Sequence, residues 1–455
     1  MKKIVHYIAE INANNETENT LIQYWFPILF GFHDVIMTGD DLEVRSKALN
    51  IMFDSLVENG EHFEIELWDK ICNELLFPIF GILSKHWGLS SSQDEISVWL
   101  STTLIQALRN MIALFGYFFE KLNHLLEGYL NLLVSCICQE NETISKIGIS
   151  CLKELIVQNG KKFSSEHWEK INQAFKELFE LTTATELFKA DPLRNETSSV
   201  NGGTNDDNSS EDSDGLEDEE QGANGGEVNG NGISSVPSPN ASVSRLDSIK
   251  EKSTIVIKCV LQLHMIQILS ELFDTEEFYD VIPAENLMKL TQLLEYSYDF
   301  SRKFNIDYNL RVRLWNAGVI DKLPNLLKQE TASSGVYISI LFRLYCDNEK
   351  VDETVKSEIT DKLIPLGVSI LESYSAFDEV EQARNINSWK PVILEIIQAF
   401  SELDEEDFIK CCPVSYDLIL KLFDKAVIND LRIAVKDFLE RVGDVYITDD
   451  KPTKE

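Results

Sequence analysis

Few residue groupings in this chain could do chemistry. His33-Asp34 is the kind of pair seen in metal phosphohydrolases, but a metal centre needs several convergent ligands and the remaining histidines are scattered. The pair is expected on a helix surface or at a helix end. Cys136 and Cys138 sit two apart, which on a helix points their thiols in different directions. They also lack the two-residue gap and the partner pair of a zinc site, so core packing is expected. Cys411-Cys412 precedes Pro413 near an expected helix start, where lipidation or redox sensing is conceivable. Stable anchoring needs a second signal, and no basic cluster or aromatic anchor adjoins the pair. No phosphate-binding loop, dinucleotide glycine fingerprint, nucleophile elbow or kinase signature is present. The sequence therefore nominates no catalytic, cofactor-binding or metal-ligating residue.

Two stretches point to binding instead. Ser97 to Asn110 reads as a helix with a polar, uncharged face around Trp99 and Arg109. Serine and threonine are mediocre helix formers, while tryptophan and arginine are enriched at interaction hot spots. Trp99 and Arg109 are the candidate interaction residues, the competing reading being a core tryptophan with hydroxyls bonded back to the helix carbonyls. Ser209, Ser210 and Ser213 lie among acidic residues and Ser238 precedes Pro239, contexts that acidophilic and proline-directed kinases favour. These four are the candidate phosphorylation sites.

The elements that must position such residues are helical. Leu104, Leu108, Met111, Ile112 and Phe115 form one stripe, and Leu431, Val435, Phe438, Leu439 and Val442 form another at the far end. Helix starts are expected after Asp40-Asp41, Ser91-Ser92, Asn141-Glu142 and Ser164-Ser165, and Pro283 suits a first turn. Val57-Glu58-Asn59-Gly60-Glu61-His62-Phe63 recurs as Val157-Gln158-Asn159-Gly160-Lys161-Lys162-Phe163, and Trp68 recurs as Trp168. An offset near 100 residues is two helical-hairpin units of about 40–47 residues. Phe26-Pro27-Ile28 and Phe77-Pro78-Ile79 echo at half that period. The Asn-Gly pairs are expected to supply left-handed caps where the chain turns back.

The fold class expected is all-α, a HEAT- or armadillo-like helical-repeat solenoid with a disordered acidic insert. Residues 1–189 form one helical block, 190–245 the low-complexity insert, 246–443 a second helical block and 444–455 a polar tail. From 190 to 243 twelve acidic residues face the single Arg194, with too few large apolar side chains to offset ordering entropy. The 455-residue chain carries −35, and about −24 remains when the insert is set aside. Such a field repels nucleic acid and anionic lipid surfaces. Eight cysteines within apolar helical patterns read as reduced cytosolic thiols. No signal peptide is apparent at Met1 to Glu10, no run of about 18 apolar residues is seen, and the start inside a helical pattern reads as part of something longer.

Trp25 to Phe30, Asp41 to Leu49, Leu76 to Trp87, Ser97 to Asn110, Leu132 to Asn141 and Leu181 to Phe188 closely resemble the region downstream of the exchange domain in large brefeldin A-inhibited Arf guanine-nucleotide exchange factors. Residues 255–347, including Leu293 to Phe300 and Leu310 to Trp315, resemble the continuation more loosely, and the remainder agrees in helical character. The resemblance implies a C-terminal helical-repeat part of a trans-Golgi exchange factor of the Sec-seven type. It also implies that exchange, performed in that family by a separate helical domain with an invading glutamate, is not performed by this chain. The expected role is that of a non-catalytic regulatory scaffold without a cofactor, cytoplasmic and peripheral at Golgi membranes. Its expected partners are Arf, Arf-like or Rab-type small GTPases, other regions of an exchange factor, or a second copy in a homodimer. The alternative is a free-standing acidic adaptor or transport-receptor-like protein binding basic peptides, although the seven tryptophans do not form a peptide-binding ladder.

Overall fold

The computed structural model describes residues 18–81, 95–189, 239–318, 324–424 and 429–446, which contain helices and no strand. In chain order the helices are α1 (Glu18–Thr38), α2 (Leu42–Asn59), α3 (Ile65–Lys70), α4 (Glu95–Tyr117), α5 (Phe119–Leu122), α6 (Leu126–Ile137), α7 (Glu142–Asn159), α8 (Ser165–Thr182) and α9 (Glu186–Lys189). They continue as α10 (Pro239–Phe273), α11 (Glu276–Val281), α12 (Ala284–Ile306), α13 (Tyr308–Asn316), α14 (Leu327–Cys346), α15 (Glu353–Ser375), α16 (Ala383–Ser401), α17 (Glu405–Asp424) and α18 (Asn429–Tyr446).

Short polar side chains start several of them. Asp41 accepts the amides of Glu43 (2.8 Å) and Val44 (3.2 Å) at the head of α2. Asn141 does the same for Thr143 and Ile144 at α7, and Ser164 forms a reciprocal cap with His167 at α8. The start expected after Ser91-Ser92 and the whole of 190–238 lie outside the described residues. So do 319–323, 425–428 and the tail from 447.

Contacts divide the chain into two compact units. In the first (1–183, 258–303 and 326–455), α1 packs on α2, α6 on α7 and α17 on α18 as helical hairpins. Each hairpin then stacks on the next: α2 on α4 and α4 on α7, α14 on α16 and α16 on α18, α6 on α8, α15 on α17. Lys153 joins α7 to Glu271 of α10 at 2.8 Å, and Lys289 joins α12 to Glu169 of α8 at 2.7 Å. The product is a two-layer helical-repeat solenoid. One layer holds α2, α4, α7, the 258–273 part of α10, α14, α16 and α18, the other α1, α3, α6, α8, α12, α15 and α17, with the apolar stripes facing inward between them. Leu108, Met111, Ile112 and Phe115 of α4, and Leu431, Val435 and Phe438 of α18, are buried there as their spacing requires. Past α3 the helix widens into a π-turn over Ile71–Leu76, which lets Ile71, Cys72, Leu75 and Leu76 all point inward.

The recurring Asn-Gly segment forms the corner of a hairpin, and here the expected left-handed cap is corrected. Gly60 (φ −63°) and Gly160 (φ −50°) are right-handed, and the chain continues through short 3₁₀ turns over Gly60–His62 and Gly160–Lys162. Glycine is needed for room instead. A Cβ on Gly60 would lie 2.5 Å from the Trp68 ring and 2.8 Å from Phe118, and one on Gly160 would lie 2.9 Å from Val281. Trp68 Nε1 donates to the Gly60 carbonyl at 3.2 Å, and Asn59 and Asn159 donate back to carbonyls four residues earlier. Ring contacts carry the corners from hairpin to hairpin: Phe63 meets Trp25 (5.0 Å) and Trp68 (5.6 Å), Trp68 meets Phe118 (5.1 Å), and Phe163 meets Phe119 (5.9 Å) and Trp168 (5.3 Å).

The second unit comprises 184–257 and 304–325. Phe188 and Phe304 meet edge-on at 5.9 Å, and Arg311 donates to the carbonyls of Pro324 (2.7 Å) and Asn305 (2.8 Å). Within α10, Lys252–Phe273 is long and apolar enough, by length and composition, to cross a membrane, which the sequence reading had not marked. In its middle the fully buried Gln262 accepts from Thr182 at 2.5 Å and donates to Ser297 at 3.0 Å, polar contacts made to neighbouring helices.

Candidate interaction surface

Helix α4 sits between α2 and α7 in one layer and presents Arg109 and Gln106 to solvent. Gln106 donates to Asn110 at 2.9 Å on that outer face, while Thr103 turns inward and is buried. The polar face expected from Ser97 to Asn110 is thus split across the helix. Arg109 also acts on α7, where its charge opposes the burial that pushes the Cys151 thiol up to about 12. The side chains of Trp99, Ser101 and Thr102 lie outside the described residues, so Arg109 is the member of the pair whose position is known. Ser209, Ser210, Ser213 and Ser238 also lie outside the described residues.

The other nominated groups resolve into packing. His33 stacks beside Phe30 at 6.0 Å on α1, and burial holds its imidazole below its usual value against the pull of Asp34. Among the described residues no three His, Cys, Asp or Glu side chains converge as a metal site would require. Cys136 is buried and Cys138 half-buried, with burial pushing their thiols up to about 12 and about 11. Cys411 and Cys412 are buried inside α17 rather than displayed at its start, and Cys411 is likewise pushed up to about 12. A thiol so far from ionising at neutral pH is a poor nucleophile.

Trp315 is a surface tryptophan that sequence reasoning missed. It is 48% exposed on α13, seven residues and therefore about two turns from the exposed Tyr308, whose ring lies 5.9 Å from the Arg311 guanidinium. Spacing of i and i+7 with an arginine between was the available signal. It was masked because Trp25, Trp68 and Trp168, equally conspicuous in sequence, are all buried.

A family model described as the BIG2 C-terminal domain matches residues 260–440, from α10 to α18. The ADP-ribosylation factor guanine nucleotide-exchange factor SEC7 of Saccharomyces cerevisiae is 46% identical over 94% of this chain. The chain is homologous to a region of the Sec7-type Arf exchange factors. The ADP-ribosylation factor guanine nucleotide-exchange factor sec72 of Schizosaccharomyces pombe is 33% identical over 96% of the chain, and the brefeldin A-inhibited guanine nucleotide-exchange protein 1 of Bos taurus 26% identical over 95%. The chain spans about a quarter of the length of these exchange factors (24%, 24% and 25%). Similarity to the exchange factors thus continues through the C-terminal helices, where the sequence reading expected only shared helical character. Arg109 lies outside the segment matched by the family model, and α14, α16 and α18 lie inside it.

Proposed function

We propose that the chain is a non-catalytic regulatory scaffold of a Golgi Arf exchange factor, which binds small GTPases of the Arf, Arf-like or Rab type, or other regions of the exchange factor, to control Arf activation and vesicle budding. The observation that carries this reading is the 46% identity to a yeast Arf exchange factor across 94% of the chain. The fold supports it, since a stack of helical hairpins offers long outer faces for partners. Charge favours a protein partner over a lipid one. With −35 overall, and about −24 outside the acidic segment, the chain is repelled by anionic headgroups, so cytoplasmic chain is held at Golgi membranes through proteins. Trp99 and Arg109 are assigned to the GTPase-facing surface, with Ser209, Ser210, Ser213 and Ser238 as phosphate acceptors that tune it.

Release of a fluorescent nucleotide from an Arf GTPase tests the non-catalytic part: the chain alone should leave the spontaneous rate unchanged, and a large acceleration overturns it. Capture of the chain by immobilised GTP-loaded Arf, Arf-like and Rab proteins tests the scaffold part. Arg109→Glu should weaken that capture about tenfold, as for a hot-spot residue, without altering the melting curve. Equal capture of wild type and variant, or tight binding to bare anionic vesicles, removes this surface from the mechanism.

A further inference from the structure

Helices α16 and α18 lie side by side in one layer, with a groove between them. Leu394, Ala434 and the 50%-exposed Ile433 make its apolar floor, and Glu402, Asp430 and Asp437 stand around it. The neighbouring lysines are occupied: Lys390 pairs with Asp430 at 2.9 Å, and Lys436 with Glu440 of its own helix at 2.6 Å. Glu402 accepts from Gln398 at 3.0 Å and Asp437 is exposed, and neither has an ion-pair partner among the described residues. Toward α14, Glu395 is half-buried beside Leu394 with a hydrogen bond from the Ser339 hydroxyl, and burial holds its carboxyl above the usual range. An apolar strip is therefore bordered by Glu402 on α16 and Asp437 on α18, neither of which has an ion-pair partner among the described residues.

We propose that this groove receives an amphipathic helix of a partner protein, whose aliphatic side chains seat between Leu394 and Ile433 and whose flanking Lys or Arg side chains meet Glu402 and Asp437. Helix-in-groove recognition uses such an apolar stripe for affinity, and the charges select the partner and its orientation. The field of a −35 chain also draws a cationic segment in and turns nucleic acid and anionic lipid away. The site does not depend on the GTPase reading, and either can fail alone.

The test uses the full chain and a fluorescein-labelled model helix of leucine and lysine, with leucines at i, i+3, i+4 and i+7 and one photoreactive leucine. Cross-links should map to 394–402 and 430–437. The double variant Glu402→Lys, Asp437→Lys should weaken anisotropy-measured binding about tenfold or more, and so should Ile433→Asp, whose side chain is already half-exposed. Glu219→Lys with Glu220→Lys, an equal charge change in the acidic segment, should leave affinity within about twofold, as for a contribution from long-range field alone. Equal loss from the two charge-reversal pairs, or cross-links elsewhere, overturns the proposal. Self-association of the free chain that Ile433→Asp abolishes places a second copy in the groove and overturns it as well. Should Ile433→Asp lower the melting temperature, the charge pair and the cross-link map decide.

Discussion

The hairpins of α1 to α8 and the later helices of the same unit (258–303 and 326–446) stack on one another in the same way but are joined by different chemistry. In the first group the joints are aromatic: Trp25, Phe63, Trp68, Phe118, Phe163 and Trp168 interlock at the corners, with glycines admitting the rings. In the second group Phe408 meets Phe438 at 5.6 Å, but polar joints are added throughout. Ser297 accepts from both Gln262 and Gln329 at 3.0 Å, and Arg302 reaches Ser369 (3.1 Å) and Ser373 (3.3 Å) on α15. Tyr345 donates to Asp407 and accepts the Asp404 amide, beneath Lys356 at 5.3 Å. Tyr279 lies under Arg343 at 3.7 Å and Lys350 at 4.3 Å. A stack can be closed by shape or by paired donors and acceptors, and only closure by shape demands the same residues at each repeat.

That contrast can be broken most forcefully at Trp68. Trp68→Ala removes a fully buried ring and should cost about 3–5 kcal/mol. Because neighbouring repeats unfold quasi-independently, the loss should appear locally. The buried thiols supply the readout, since burial pushes both Cys72 and Cys411 up to about 12 and labelling therefore requires opening. Trp68→Ala should speed labelling of Cys72 and leave Cys411 protected, and equal acceleration would show that the regions unfold as one. Gly60→Ala comes next, at about 1–3 kcal/mol by denaturant titration, since the new methyl meets Trp68 and Phe118. Insensitivity there would mean that the corner has slack.

In the polar region Gln262→Ala removes one bond each from the buried Thr182 and Ser297 hydroxyls, which keep the Leu178 carbonyl and Gln329 as partners, and should cost about 0.5–1.5 kcal/mol for each bond lost. Its signature is a double variant with Thr182→Val that costs less than the sum of the two single variants, because each single change already breaks the bond they share. An additive double variant would show that the two residues do not form one network. At the small end, Gly31→Ala on α1 meets nothing within 4 Å and should stabilise by about 0.5–1 kcal/mol through helix propensity. Acidification gives a mild, regionally mixed effect. Burial holds His33, His167 and His264 below 6.5, so the unfolded chain takes up protons first, and their contribution to stability is present above pH 6.5 and declines below it. A rise in melting temperature from pH 7 to pH 6 in a His33→Gln, His167→Gln, His264→Gln background, against a fall in wild type, would confirm the sign.

The comparison also explains which features could be read in advance. Asp41, Asn141 and Ser164 were legible as helix starts because a cap acts on amides two or three residues away. The repeat was legible because aromatic corners reuse their side chains. Gly60 was misread because Asn-Gly ordinarily signals a left-handed turn, whereas the decisive contact comes from Phe118, far along the chain. Gln262 was illegible for the same reason, its partners being Thr182 and Ser297. Arg109 was located on an outer face, but polarity alone does not distinguish its neighbour Thr103, which points inward. The α16–α18 groove escaped notice because its α16 carboxylate, Glu402, is 28 or more residues from Asp430 and Asp437 of α18 and meets them only through packing.

The Thr182–Gln262 hydrogen bond has an evolutionary corollary. It ties α8 to α10 from a point 23 residues past the start of α10, so that contact is made whatever lies between 190 and 238. Loop-closure entropy grows only with the logarithm of length, about 0.6 kcal/mol for each doubling. Duplications and deletions of codons between 190 and 238 should therefore cost the Thr182–Gln262 contact little, and the segment can lengthen or shorten from one lineage to the next while that bond between α8 and α10 is kept.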